Sequence, residues 1–532
     1  MKAIIKKRMK LIAIIAGILL VNHACEKDKD KEIPSDSFIT LSLNFNDQQQ
    51  EIHSFGASDA WSTQFVGRNW PLEKRERITE LLFSTETDSK GNPKGAGLSG
   101  WRFNIGAGSA EQGISSGISD EWRRAECFLN PEGTYEWDKQ VGQRWFLQAA
   151  KAYGIEYITA FVNSPPVHYT KNTKAWSDGG SSTNLRDDRY ENYAEFLAVV
   201  IQELNARDGL NIKYISPVNE PQWDWDNRGQ EGSPYTNSEI AECVRHLSTR
   251  LLNRGLSTQI EVSDAAHISY IYKYGDKPLR GNQAFEFFSP GSENYIGDLY
   301  NLAYTISGHS YYSTYPVTTL LQERSNLADA IREIDTNLQF SQTEYCLLEG
   351  NDEITGNGRD LGIDPALYTA RLIHYDLTLA QSATWYWWLA VSPYDYKDGL
   401  VYIDMNKNDG NVYDSKILWA LGNYSRFIRP GMHRYSVIRS DNQNDERYST
   451  GLMASGYAPV DKSEAIFVLV NYAKTVTYPV KVKTIDNRKA TLIRIYTTSA
   501  KSDENLKFSI PENQDDVISI PPRSVVTIVM EL

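Results

Sequence analysis

Apolar positions along the chain follow two regimes. From Glu51 to about Arg429, short runs rich in β-branched and aromatic residues alternate with stretches whose apolar residues recur every three to four positions. The runs predict strands over Ile52–Ala57, Trp101–Ile105, Ile155–Val162, Ile212–Pro217, Gln259–Ser263, Ala303–Ser307, Leu338–Gln342 and Ala383–Trp388. The helical spacing predicts helices over Pro71–Phe83, Lys139–Tyr153, Tyr190–Leu204, Ser238–Asn253, Thr318–Ile334 and Pro365–Ala380, with Ala284–Leu302 the poorest of the spacers. Thr236 and Glu239 have the spacing of a capping box, and Pro71 and Pro365 suit first helical positions. Eight strand–helix units predict an α/β fold, a closed (β/α)8 TIM barrel spanning 51–430.

After Pro430-Gly431 the helical period stops. Strands are predicted over Tyr435–Arg439, Gly451–Ser455, Ala465–Val470, Tyr478–Val482, Ala490–Tyr496 and Val525–Met530, divided by turn clusters such as Ser440–Asn444. This segment, 431–532, reads as an appended all-β sandwich. The stretch 37–50, with Phe38–Leu43 at its start, precedes the barrel in the chain and is placed to add an N-terminal strand to that sandwich.

The chain begins differently. Lys2, Lys6, Lys7, Arg8 and Lys10 precede the apolar run Leu11–Val21, which is too short for a spanning helix and reads as an export signal over 1–24. Cys25 after Ala24 resembles the lipidated cysteine of bacterial lipoproteins; an ordinary signal cleaved near Ala24 is the alternative. Residues 25–36 carry a mixed-charge run that reads as a solvated tether. The expected address is therefore an exported outer-membrane lipoprotein whose one membrane contact is its anchor.

Composition narrows the function. The 532 residues hold 55 Lys+Arg against 68 Asp+Glu, a formal charge of −13 that becomes −18 once 1–24 are removed. A net acidic surface argues against nucleic acid. Four cysteines cannot make a disulfide scaffold, and an aromatic content of 12% excludes disorder. The eight histidines are scattered without a His-x-x-x-His pair, so neither a metal nor a cofactor is expected. No obligate protein partner is predicted.

Barrel enzymes carry their chemistry at the C-terminal ends of strands. Those positions hold Asp59 and Trp61, Arg102 and Asn104, Asn163, Asn219 and Glu220, Asp264, His309 and Tyr311, Glu344 and Trp387. Glycosidic cleavage needs such a set: one carboxyl to protonate the departing oxygen, another to attack the sugar or activate water. Glu220, in Asn219-Glu220-Pro221, and Glu344, in Thr343-Glu344-Tyr345-Cys346, supply the pair.

These motifs, with Ser54-Phe55-Gly56-Ala57-Ser58-Asp59, Asn163-Ser164-Pro165-Pro166 and Leu421-Gly422-Asn423-Tyr424-Ser425-Arg426-Phe427-Ile428, resemble glycoside hydrolase family 30 from about Ser37 to the C-terminus. Gln222-Trp223-Asp224-Trp225 and Tyr394-Asp395-Tyr396-Lys397-Asp398-Gly399 are similar to the branch containing endo-β-1,6-galactanases. The resemblance implies a retaining endo-glycosidase, with Glu344 as nucleophile and Glu220 as acid/base, acting on β-1,6-galactan side chains of plant arabinogalactan. It further implies that His309 and Tyr311 orient Glu344, that Arg102 pairs with Glu344, and that Trp387 stacks under the sugar. Asp59, Trp61, Asn104, Asn163 and Asn219 would then bind substrate hydroxyls. A β-1,6-glucanase or xylanase of the same family stays open, as does a surface glycan-binding lipoprotein without chemistry.

Other features read as decoys. Glu349, an odd number of residues beyond Glu344, is expected in the following loop. Gly113–Gly117 fits a nucleophile elbow but lacks its strand and helix. Gly106-Ala107-Gly108 reads as close packing at the barrel mouth, and Cys346 as a packed thiol.

Overall fold

The computed structural model describes residues 38–348, 350–513 and 516–532, so the export signal, Cys25, the tether and Glu349 lie outside the described residues. The described chain opens with β1 (Ile39–Glu51) and then enters the barrel. The barrel strands are β2 (Ser54–Ser58), β3 (Gly100–Asn104), β4 (Tyr157–Phe161), β5 (Ile212–Ser216), β6 (Gln259–Ala265), β7 (Leu302–His309), β8 (Gln339–Glu344) and β9 (Ser382–Ser392). Each runs parallel to the next, and β9 pairs with both β8 and β2 to close the ring. All eight predicted strands are present. They form because apolar and small residues can be buried on both faces: β2, β3 and β9 are buried along their whole length.

The predicted helices also form, with three adjustments. Pro71 caps helix Leu72–Phe83 rather than being its first residue. Pro365 is the third residue of helix Ile363–Thr378 rather than the first, another position whose backbone N–H has no intrahelical partner. The weak spacer contains only the short helix Gln283–Phe288. Thr236 and Glu239 do form a reciprocal capping box.

Two further strands, β10 (Gly399–Ile403) and β11 (Val412–Asp414), extend the barrel sheet beyond β9. The appended domain comprises β12 (His433–Arg439), β13 (Leu452–Ala458), β14 (Glu464–Asn471), β15 (Tyr478–Thr484), β16 (Leu492–Ser499), β17 (Lys507–Ser509), β18 (Ile518–Ile520) and β19 (Ser524–Glu531). With β1 they make a nine-stranded sheet in the order β17-β16-β19-β14-β13-β12-β1-β15-β18. The turn cluster Ser440–Asn444 leads into a short helix, Asp445–Thr450, whose first turn is capped by the Asn444 side chain.

Helices Ile363–Thr378 and Lys416–Ser425 pack between barrel and sheet, each almost wholly buried. Asn423 on the second locks the junction. Its Nδ2 donates to Tyr496 O (3.1 Å) and Thr527 Oγ1 (2.9 Å), while Thr527 Oγ1 donates back to Asn423 O (2.6 Å). The appended sheet thereby braces the last barrel helix. Among the described residues no helix is long and apolar enough to cross a membrane.

Candidate active site

Arg102, fully buried on β3, organises the C-terminal mouth of the barrel. Its Nη1 donates to Glu344 Oε2 (2.6 Å), and its Nη2 donates to Asn219 Oδ1 and Asp264 Oδ2 (both 2.9 Å). The guanidinium lies over the Phe161 ring at 3.6 Å. A planar fork can serve several acceptors at once, and charge-assisted bonds of this kind hold each in place. Tyr311 donates to Glu344 Oε1 (3.0 Å), so both oxygens of that carboxylate are oriented. Thr343 donates to Asp264 Oδ1 (2.5 Å). Burial opposes the charge on Asp264, but Arg102 and His309 outweigh it and hold this carboxyl well below the usual range.

Glu220 follows β5 with φ of +45°, a left-handed conformation costly for a residue with a side chain. The strain is sustained by its amide donating to Asp264 O (2.9 Å) and by Trp225 Nε1 donating to its carbonyl (3.1 Å). Glu220 Oε1 meets His309 Nδ1 at 2.9 Å. His309 Nε2 lies 3.8 Å from Asp264 Oδ1, within ion-pair reach but too far for a hydrogen bond.

Burial raises the Glu220 pKa, and the charge of Glu344 adds to this, against the pull of His309 and Arg102. Burial would lower that of His309, but Glu344, Asp264 and Glu220 push it up to about 9. One arrangement accommodates both directions. Protonated His309 donates to Glu220 Oε1, and the proton of Glu220 sits on Oε2. Two cations, Arg102 and His309, then face two anions, Asp264 and Glu344.

A ring nitrogen of His309 and one carboxylate oxygen each of Glu220 and Glu344 lie within 4.8 Å of one another. Such a trio could ligate a metal. Here its donors are already engaged by Arg102, Tyr311 and each other, and a cation would sit against the guanidinium. Above the trio opens a cleft of about 700 Å³ whose walls carry Trp61, Trp223, Trp225, Trp388, Tyr312 and Tyr396. Trp61 meets Trp388 edge-to-face (5.3 Å), and Trp223 meets Tyr312 likewise (6.0 Å). Two neighbouring carboxyls under aromatic walls are suited to a hydroxyl-rich ring joined by an acetal bond.

Residues 38–402 match the profile of O-glycosyl hydrolase family 30. The chain belongs to that family. An endo-β-1,6-galactanase from Hypocrea rufa is 27% identical over 242 residues, covering 42% of this chain and 49% of that protein, so the match spans about half of the relative. Among solved structures, a conserved exported protein from Bacteroides fragilis is 34% identical with a TM-score of 0.86, over 93% of this chain and 100% of that one. The catalytic domain of xylanase C from Talaromyces cellulolyticus shares the fold at 23% identity and a TM-score of 0.66, over 93% and 100% of the two chains. The chain is thus an O-glycosyl hydrolase by family.

Within this family 30 site, Glu220, Glu344, Trp61 and Tyr311 line the cleft. Several sequence expectations need correction. His309 hydrogen-bonds Glu220, not Glu344, whose nearer oxygen is 3.9 Å from Nδ1. Trp387 is fully buried, its Nε1 donating to Asp398 O (2.7 Å), and Trp388 presents its ring to the cleft instead. The reason is a bulge: β2 pairs Ala57 with Trp387 but Ser58 with Leu389, so Trp388 falls outside the alternation.

Asn219, expected to hold a sugar hydroxyl, spends its side chain on Arg102 and on Asn163 Oδ1 (3.1 Å). Asn163 is buried behind it. Asp59 Oδ1 accepts from the Asn104 amide (2.9 Å) and Gln143 Nε2 (3.2 Å), and burial pushes its carboxyl up to about 8. Neither Asp59 nor Asn104 is on the cleft wall; both are sealed below it.

Asp264 stood among the strand-end residues without a role, and Phe161 lay inside a predicted strand; both hold Arg102. Glu231 left no signal in the sequence. It accepts from the amides of Ala107 (2.9 Å) and Ser109 (3.2 Å), fastening the glycine segment that follows β3. A Cβ on Gly106 would lie 2.3 Å from Glu126 O, so close packing accounts for that glycine. Cys346 is a buried free thiol, 3.8 Å from the Tyr311 hydroxyl.

Proposed function

We propose that the protein is a retaining endo-glycosidase of β-1,6-galactan. The observation that carries the mechanism is the approach of Glu220 and Glu344 to within 4.8 Å. That spacing suits direct attack, since an inverting pair needs room for a water between the carboxyls. Glu344 attacks the anomeric carbon while Glu220 Oε2 gives its proton to the leaving oxygen, forming a glycosyl ester. Glu220 then takes a proton from the incoming water, which hydrolyses the ester. His309 donates to Glu220 Oε1 throughout, which directs the transferable proton to the other oxygen.

The galactan assignment is supported by the 27% identity to the Hypocrea rufa galactanase. Export and lipidation at Cys25 extend the proposal, supported by the basic–apolar N-terminus and the likeness to an exported protein. Cys25→Ala should move the protein from the membrane to the soluble fraction; an unchanged distribution would count against the anchor.

Digestion of β-1,6-galactan, β-1,6-glucan and glucuronoxylan, with product lengths and anomeric configuration followed by NMR, tests the rest. Oligomeric β-anomers from galactan are expected first. An initial α-anomer would overturn retention, and monomer alone from the start would overturn endo action. Preference for glucan or xylan would reassign the substrate. Binding without hydrolysis would make the protein a glycan-binding lipoprotein.

A further inference from the structure

Asp398 is a carboxyl on the cleft wall that the proposed reaction does not use. It sits at the turn between β9 and β10 and is 5% exposed. Its backbone carbonyl accepts from Trp387 Nε1 (2.7 Å) and from the Leu389 amide (3.3 Å). Its Oδ1 accepts from Ser392 Oγ (2.7 Å). At the next residue, a Cβ on Gly399 would lie 2.7 Å from Ser392 Cβ, so the turn is fitted closely around that serine. The carboxyl is therefore pre-positioned.

It has no close counter-charge. Asp224, another acid of the cleft, pairs with Arg280 at 2.9 Å, whereas among the described residues no cation lies within ion-pair reach of Asp398, and Arg123 and Arg359 act on it only from farther off. Burial pushes it up to about 6, so it is largely ionised at neutral pH and presents acceptors only. Trp388, displaced into the cleft by the bulge, carries an aromatic ring on the same wall. β9 lies four strands from β5 in either direction, directly across the barrel from the strand that leads into Glu220.

In double displacement the leaving group departs on the side of Glu220 while the glycone stays bonded to Glu344. The wall opposite Glu220 therefore holds the glycone. We propose that Asp398 is a specificity residue, whose free carboxylate oxygen accepts a hydroxyl hydrogen bond from a glycone sugar resting on Trp388. This rests on the assignment of Glu344 and Glu220 above. A sugar with that hydroxyl turned away would leave a desolvated carboxylate oxygen unpaired, which costs more than a lost contact. Two sugars differing in the orientation of one hydroxyl, as galactose and glucose do, are thereby told apart.

Titration calorimetry on the Glu344→Gln background removes turnover from the comparison. Linear β-1,6-galacto- and β-1,6-gluco-oligosaccharides are bound to Glu344→Gln and to Glu344→Gln/Asp398→Asn. The isosteric Asn keeps the backbone bonds to Trp387 and Leu389. We expect about tenfold or greater weakening for the preferred oligosaccharide, and discrimination collapsing to within about twofold. Unchanged affinity and discrimination would overturn the proposal, as would a Glu344→Gln protein that does not distinguish the two sugars. Should Asp398→Asn fail to fold, Ser392→Ala decides: it frees the carboxyl to turn, and unaltered selectivity sinks the idea. Failure of the reaction assignment shows separately, as an α-anomer or as absent hydrolysis by the unmodified enzyme.

Discussion

Arg102 and Arg324 are both fully buried, and each pairs with a buried aspartate at 2.9 Å, Arg102 with Asp264 and Arg324 with Asp376. Around Arg324 the charges close upon themselves. This pair joins the outer helices Val317–Ile334 and Ile363–Thr378. Asp376 also accepts from Trp385 Nε1 (2.8 Å) and Ser310, while Arg324 Nη1 donates to Ser313 O (2.6 Å). Burial dominates at Asp376 and raises its pKa despite the arginine. Around Arg102 the same pairing is extended by Glu344, Glu220 and His309, and the two glutamates open onto the cleft. There Asp264 moves the other way, held low by Arg102 and His309. A closed buried pair fixes architecture; one joined to further titratable groups can store and release a proton.

The sharpest separation of the two comes from the glutamates. Glu344→Gln keeps the shape of the Arg102 cluster but removes the proposed nucleophile, and Glu220→Gln removes the proton it is proposed to transfer. Each should lower kcat/KM on the polysaccharide by at least about 10³-fold, the upper part of the range for acid–base and covalent groups. Circular dichroism should stay native. Undiminished hydrolysis in either variant would dissolve the distinction, because the open cluster would then be as structural as the closed one.

Arg324→Met tests the other half. Removing one partner of a buried pair leaves an uncompensated acid and costs about 3–5 kcal/mol. The melting temperature should fall by several degrees, while kcat measured well below the melt stays within about twofold. A large loss of kcat with a native melt would mean that the Arg324 pair reaches the chemistry.

Much of this contrast was legible in the residues, and the remainder fails for definable reasons. Fully buried parallel strands are short apolar runs, so β2 to β9 stand out. Strand ends expose few positions, so Glu220, Glu344 and Arg102 are legible as neighbours in the sequence. Trp387 was taken for Trp388 because a bulge breaks the alternation that assigns faces, and a bulge has no sequence period. The His309 partner was misassigned because register brings His309 beside Glu344, whereas its ring direction turns it to Glu220. Asp59, Asn104 and Asn219 look like sugar ligands by type, but their own contacts consume or bury them. β10 escaped because it follows β9 in parallel after only a short turn, where a helical crossover is the rule.

The finest test concerns His309, which exists only in the open cluster. Its folded pKa of about 9 exceeds the ordinary 6.5, so the native state binds its proton more tightly than the unfolded chain. The resulting stability is complete below about pH 6.5 and is lost as pH rises to about 9. Glu220, also raised, acts in the same direction, whereas the stability from Asp264 is lost only in acid. The melting temperature should therefore decline from pH 6.5 to 9. Asp59, Glu231 and Glu261, buried acids pushed up to about 8, 7 and 8, lean the same way, so the slope alone identifies nothing. The difference does. His309→Gln retains a donor for Glu220 but cannot titrate, and its decline should be measurably shallower by calorimetry across this window. Parallel declines would place the proton elsewhere and remove His309 from the charge balance that distinguishes Arg102 from Arg324.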